Sequence, residues 1–144
     1  MQKLSLIVVT LWVGALWMTG ITAYTLFQAL DDTKLAGNLA GKLFEIVSYI
    51  GIASAIFLMI QRLLSYSTGA LKQSYFWAIF VMFLLVLAGH FGIQPLLAQL
   101  KASAMPADVM HSVFADRFRA WHGIASVAYV MECLLGVVLV LKAR

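Results

Sequence analysis

Charged side chains are scarce in this sequence, and their scarcity excludes a water-soluble fold. Only 11% of the 144 residues are Asp, Glu, Lys or Arg, whereas soluble domains carry about 25%. Apolar residues make up 63%, so a soluble domain of this size would lack the polar groups needed to cover its surface. The composition therefore predicts a protein whose solvent is largely lipid.

Cysteine is almost absent, and so are the short motifs that mark common enzymes. The one cysteine, Cys133, excludes an intrachain disulfide and a paired-cysteine metal motif. The sequence has no glycine-rich phosphate loop and no hydrolytic nucleophile accompanied by its base. Its net charge of +4 is scattered and does not form the basic stripe that binds nucleic acid. We therefore expect no nucleic-acid partner, and the sequence gives little support to an enzymatic function.

Four apolar runs are long enough to cross a bilayer, which takes about 20 helical residues at a rise of about 1.5 Å each. They take up most of the chain, so the sequence predicts a single transmembrane domain over residues 1–144. The expected fold class is all-α: an integral membrane antiparallel four-helix bundle with a short interfacial helix between spans three and four. The first run is longer than the apolar part of a signal peptide, and we expect it to be retained. The predicted spans are residues 4–26, 43–64, 75–97 and 120–141.

Prolines and aspartates predict where the helices are interrupted or begin. Pro95 removes a backbone donor from span three, so we expect a kink or break near Phe91. Pro106 opens a second segment, "PADVMHSVFADRFRA", in which Val109, Val113 and Phe114 would share one helical face, and this pattern predicts the short amphipathic interfacial helix. Before span two, Asp31 or Asp32 is placed to cap the start of a helix.

The charges outside the spans bear on orientation. Four spans place both termini and the loop between spans two and three on one face of the membrane. Each face carries five Lys or Arg residues, but the acidic residues outside the spans all lie on the opposite face. We therefore expect both termini in the cytoplasm.

Counting along the helices places polar side chains from different spans at a common depth in the half of the membrane away from the termini. His90 and Gln94 are four residues apart, and Arg119 and His122 are three apart, so each pair shares one helix face. Such groups are costly against lipid, and we expect them to face the interior of the bundle. The predicted pocket or ligand-binding residues are Glu45, His90, Gln94, Arg119 and His122.

This pocket has several interpretations. The leading hypothesis is a non-enzymatic membrane protein that binds or passes a small solute or metal ion. His90 and His122 are the candidate metal or haem ligands, because imidazole binds both. Glu132 is an intramembrane carboxylate that we expect to be protonated or paired. Alternatively, the protein is a haem-binding redox protein, or a structural subunit of a membrane complex or homo-oligomer in which the histidines only bond helices together.

Four segments carry a resemblance to known proteins, in the order "LWVGALWMTG", "LFEIVSYIG", "GHFGIQP" and "RFRAWHGIASVAY". Over essentially the whole chain they resemble the bacterial family of short four-span proteins of unknown function related to eukaryotic transmembrane protein 205. The resemblance implies a four-helix protein of the bacterial inner membrane and supplies no reaction.

A more distant similarity is to CopD-type copper-resistance proteins and HemJ-type protoporphyrinogen oxidases. It is carried by "VVTLWVGALW" and the Trp121–His122 pair. Both groups are helical membrane proteins with functional histidines, so the similarity implies haem or a transition metal as cofactor. HemJ-type proteins carry a histidine in span one, where this sequence has none.

Overall fold

The computed structural model describes residues 2–143, which form helices without any β-strand. Four helical stretches in this range have the length and apolar composition needed to cross a membrane. The predicted all-α membrane bundle is therefore confirmed. The α-helices are α1 (Gln2–Ala29), α2 (Thr33–Tyr66), α3 (Ser74–Leu87), α4 (Gln94–Ala104) and α5 (Ala115–Leu141), with 3₁₀ helices at Ser67–Lys72 and Val109–His111 and a π-helical turn at Ala88–Ile93.

The helices pack as neighbours around a closed square. α1 contacts α2 and α5, and α3 contacts the same two helices from the other side. Gln2 and Ala143 thus lie at one end of the bundle together with the Ser67–Lys72 connection, and we call this end the terminal end. The core includes Trp12 of α1, which is fully buried and packs against Gly51 of α2. Many other large apolar side chains are exposed, as expected for helices that face lipid.

The start of α2 follows from its capping residue. Asp32 accepts hydrogen bonds from the backbone N–H groups of Lys34 and Leu35, at 2.9 and 3.1 Å. These bonds satisfy two of the donors that a helix leaves free at its first turn. The predicted cap is therefore confirmed, and it starts α2 ten residues before the apolar run of span two begins.

Span three is one long helix interrupted by the π-helical turn. The N–H of Gln94 bonds to the carbonyl of Gly89, five residues back, where an α-helix would bond four back. Pro95 follows immediately and has no N–H to donate, so an ordinary α-helical pattern cannot continue through it. The wider turn covers Phe91, where the sequence predicts an interruption, and the helix then continues to Ala104.

The connection between spans three and four contains less helix than the sequence predicts. Its helical part is the three-residue 3₁₀ helix Val109–His111, and a second helix begins only at Ala115 as part of α5. Val109 and Phe114 pack against Leu100, as members of one apolar face should. Val113, predicted on the same face, is 92% exposed because the chain between Val109 and Ala115 is not α-helical.

Candidate functional site

His90 lies in the π-helical turn of span three. Its ring centroid is 4.7 Å from those of both Tyr49 on α2 and Phe91, in edge-to-face geometry. Its Nδ1 atom is buried and has no hydrogen-bond partner within residues 2–143. The two glycines beside it, Gly89 and Gly92, leave open space where a side chain would otherwise stand. The turn therefore presents an unsatisfied polar atom next to small residues.

Gln94 extends this polar region onto α2. Its amide Nε2 donates to the hydroxyl of Ser48 at 3.2 Å, and that hydroxyl donates to the carbonyl of Phe44 at 2.7 Å. His90 and Gln94 thus face the same neighbouring helix, as their spacing of four predicts. Sequence reasoning missed Ser48 and Tyr49, although Ser48 lies on the small-residue face that continues to Gly51.

The other three predicted pocket residues lie on accessible surfaces. Glu45 is exposed on α2. Arg119 is exposed and pairs with Asp116 at 3.5 Å, one turn earlier on the same helix. His122 is exposed, with its ring stacked on Phe118 at 5.8 Å.

The structure therefore brings two of the five residues against α2 and leaves three at the surface. Within residues 2–143, no hydrogen bond or ion pair joins any of the five to another. No group of three or more His, Cys, Asp or Glu side chains is arranged to hold a metal in this part of the chain.

Glu132 lies inside the bundle, on α5. Its side chain is buried, with 7% of the residue exposed. The neighbouring turns of α5 make close contacts with α1: the Tyr129 hydroxyl donates to the Leu16 carbonyl, and Gly136 packs on Val13. Among the described residues no hydrogen bond or ion pair to the Glu132 carboxyl group is found.

These observations define an integral membrane protein whose four-helix bundle carries a polar region between spans two and three. Residues 7–106 match the family described as domain of unknown function (DUF4149). The match covers more than half of the chain, and the protein belongs to this family. It includes Glu45, His90 and Gln94 but ends before α5. No curated protein and no solved structure matches the chain.

Proposed function

We propose that this protein binds a small solute or metal ion at the π-helical turn of span three, with His90 as the contacting group. The binding region consists of His90 and Gln94 on span three and Ser48 and Tyr49 on α2. In this proposal the protein is a binding or passage protein and carries out no covalent chemistry.

The unpartnered Nδ1 atom of His90 is the observation that carries the proposal. Buried polar atoms in proteins nearly always have a partner, and exceptions call for a water, an ion or a ligand. The atom also lies in a π-helical turn, a feature that is frequent at functional sites. Nothing lies within 4 Å of a Cβ placed at Gly89 or Gly92, which leaves room for a ligand at the turn.

The surrounding side chains favour a particular ligand class. One turn further along span three, the Gln94–Ser48 pair offers an amide and a hydroxyl, and neither group carries a charge. Imidazole binds transition metals as a neutral ligand and also bonds polar solutes. The site therefore suits a transition metal ion or a neutral polar solute better than a charged organic ion.

Metal analysis of the full-length protein in detergent tests this proposal. The protein is equilibrated with Zn²⁺ or Cu²⁺, freed of unbound metal and measured for bound metal, and native mass spectrometry records any retained small molecule. We expect a bound metal or solute that is lost in His90→Ala and kept in His111→Ala, which removes an exposed histidine from the span three–four connection. Unliganded protein, or equal binding by both variants, would contradict the proposal.

An absorption spectrum of the same preparation distinguishes bound haem from the proposed solute or metal ion. A Soret band that is lost in His90→Ala or His122→Ala would show that the ligand is haem and not the proposed solute or metal ion. A co-purifying membrane subunit, with neither cofactor nor metal, would instead favour a structural role.

The resemblances to transmembrane protein 205 and to CopD-type and HemJ-type proteins stay predictions.

We also propose a bacterial inner membrane location with both termini in the cytoplasm. The two ends carry five Lys or Arg residues each, and the support for this orientation is that the acidic side chains outside the spans all lie at the end away from the termini. Fusions of alkaline phosphatase and of green fluorescent protein to the C-terminus test it. We expect fluorescence without phosphatase activity, and the reverse pattern would invert the orientation.

A further inference from the structure

An arginine near the terminal end of α2 is held between two aromatic rings. The guanidinium carbon of Arg62 lies 4.2 Å from the ring centroid of Tyr75 and 4.9 Å from that of Tyr66. Its Nε atom is buried and has no hydrogen-bond partner within residues 2–143. The rings fix the position of the cation by cation–π attraction but accept no hydrogen bond in the plane of the guanidinium. Donor capacity is therefore left for an anion.

A second cation, from the end of the bundle's final span, contacts the start of the same helix, α3. The Nζ atom of Lys142 donates to the hydroxyl of Ser74 at 2.6 Å. Ser74 and Tyr75 are consecutive residues in the first turn of α3, so Arg62 and Lys142 meet the same helix start. That turn contains no acidic side chain, and Gln73 provides no side-chain cap. The free N–H groups of a helix start add positive potential to the two cations.

No acidic side chain opposes this positive charge. Lys3 and Lys72 add to it from the same end of the bundle. The acidic residues of the chain all lie at the opposite end or in the middle of the bundle: Asp31, Asp32, Glu45, Asp108, Asp116 and Glu132. The terminal end is therefore complementary to an anion.

An apolar groove lies between the same two helices, α2 and α3, and reaches the same end of the bundle. It has a volume of about 460 Å³ and is lined entirely by apolar side chains. At its terminal end it is lined by Leu63 and Phe76, the sequence neighbours of Arg62 and Tyr75. From Leu63 to Ile56 it extends about 10 Å toward the middle of the membrane, at about 1.5 Å per residue.

The wall of the groove is fixed by a tryptophan. The indole Nε1 of Trp77 donates to the carbonyl of Leu71 at 2.8 Å and ties the Ser67–Lys72 connection to α3. Trp77 is half exposed and lies near the end of its span, the usual position for a tryptophan at the headgroup level of a membrane. A groove for an acyl chain thus opens at the height of the headgroups.

We propose that an anionic phospholipid binds here, with its phosphate at Arg62 and Lys142 and one acyl chain in the groove between α2 and α3. The planar guanidinium matches phosphate oxygens in geometry, and the adjacent ammonium adds charge. A lipid without a phosphate offers no group to the cations, and a soluble anion leaves the groove empty. Phosphatidylcholine offsets its phosphate with the positive charge of its choline, so it should bind less well than a lipid with net negative charge. This lipid site is separate from the proposed solute site at His90.

Native mass spectrometry of the full-length protein in detergent tests the lipid proposal. Phosphatidylglycerol and phosphatidylcholine with identical acyl chains are offered separately, and the retained lipid is counted. We expect preferential retention of phosphatidylglycerol. Arg62→Gln and Lys142→Gln should each weaken it by about fivefold, since one basic residue near an anionic lipid contributes on the order of 1 kcal/mol.

Arg117→Gln is the matched control, because Arg117 is an exposed arginine at the opposite end of the bundle. It should retain phosphatidylglycerol like the unmodified protein. Thermal unfolding without added lipid checks that each variant folds. If Arg62→Gln does not fold, Lys142→Gln still tests the proposal, because it changes an exposed side chain. Equal retention of the two lipids, or retention unaffected by both substitutions, would overturn the proposal. Displacement of the lipid by millimolar inorganic phosphate would identify a free-anion site instead.

Discussion

A Cβ atom added at Gly51 would lie 2.9 Å from the indole Nε1 of Trp12. Gly51 on α2 thus gives the fully buried tryptophan of α1 the space it occupies, with Val86 of α3 closing the other side at 3.2 Å. Helices in a membrane gain little from excluding water from one another, so close van der Waals packing of this kind is a main source of their association. The contact joins three of the four spans near the centre of the bundle.

Gly51→Ala should therefore destabilise the bundle by about 1–3 kcal/mol, the usual cost of forcing an extra methyl group into a packed core. The added carbon cannot move away, since it meets a rigid indole and a β-branched side chain. Gly41→Ala on the same helix is the control, because a Cβ there meets nothing within 4 Å. It should be neutral or stabilise α2 by up to about 1 kcal/mol. Unfolding in detergent measures both, and equal stability of the two variants would contradict this packing.

Ser48→Ala should cost about 0.6–2 kcal/mol, the range for a hydrogen bond between membrane helices. The substitution removes the acceptor of the Gln94 amide and leaves that amide without its partner. Ser126→Ala is a matched control, because the Ser126 hydroxyl also bonds the carbonyl four residues back but has no cross-helix partner.

A double-mutant cycle then isolates this pair. The cost of Ser48→Ala should largely disappear in a Gln94→Leu background, where no amide remains to be satisfied. An unchanged cost in that background would show that the loss comes from α2 alone.

His90→Leu should leave the stability of the bundle unchanged or raise it slightly. The ring makes edge contacts with Tyr49 and Phe91, which leucine partly replaces, while its Nδ1 atom bonds nothing in the described part of the chain. Removing an unsatisfied buried polar atom costs no hydrogen bond. Thermal unfolding in detergent measures the change. A loss above about 2 kcal/mol would mean that His90 satisfies carbonyls released near Pro95, and that it is structural.

The sequence predicts four long apolar helices, as the structure has them, because apolar length is a property of each segment alone. Each predicted span lies within one of the observed helical stretches. The start of α2 at Thr33 follows from the predicted cap at Asp32, ten residues before the apolar run itself begins. For span three the sequence predicts an interruption but not a π-helical turn. Pro95 shows that a hydrogen-bond donor is missing, but it does not show which hydrogen bonds replace the lost one.

The candidate site was less predictable because depth is only one of two coordinates of a helical residue. Counting residues gives a height in the membrane, and on that basis Glu45 and Gln94 were assigned to one pocket. The direction a side chain faces depends on how each helix rotates against its neighbours. That rotation directs Gln94 to Ser48 and leaves Glu45 exposed. The pairing of Arg62 with Tyr75 needed the same tertiary information, since only Tyr66 is a neighbour along the helix.

Asp108 should make the stability of the bundle depend on pH in the acidic range. Its carboxylate accepts hydrogen bonds from the Met110 N–H at 3.0 Å and the Thr33 hydroxyl at 3.2 Å, so it joins the span three–four connection to the start of α2. The Met110 bond, the Thr33 bond and the nearby charges of His111 and Lys34 lower the pKa of Asp108. A lowered pKa favours the ionised form in the folded state, so this stabilisation is fully present above the unfolded pKa of about 3.9.

The stabilisation should then be lost as the pH falls below about 4, through the lowered pKa of the folded protein. The effect should not exceed about 1 kcal/mol, because the carboxylate is accessible to water. Asp108→Asn keeps a side chain that can cap the 3₁₀ helix but does not titrate, so its melting temperature should fall less between pH 6 and pH 3. Asp116→Asn, which removes a 97% exposed carboxylate, should behave like the unmodified protein. An identical acid dependence in all three proteins would show that the hydrogen bonds to Asp108 contribute nothing to stability.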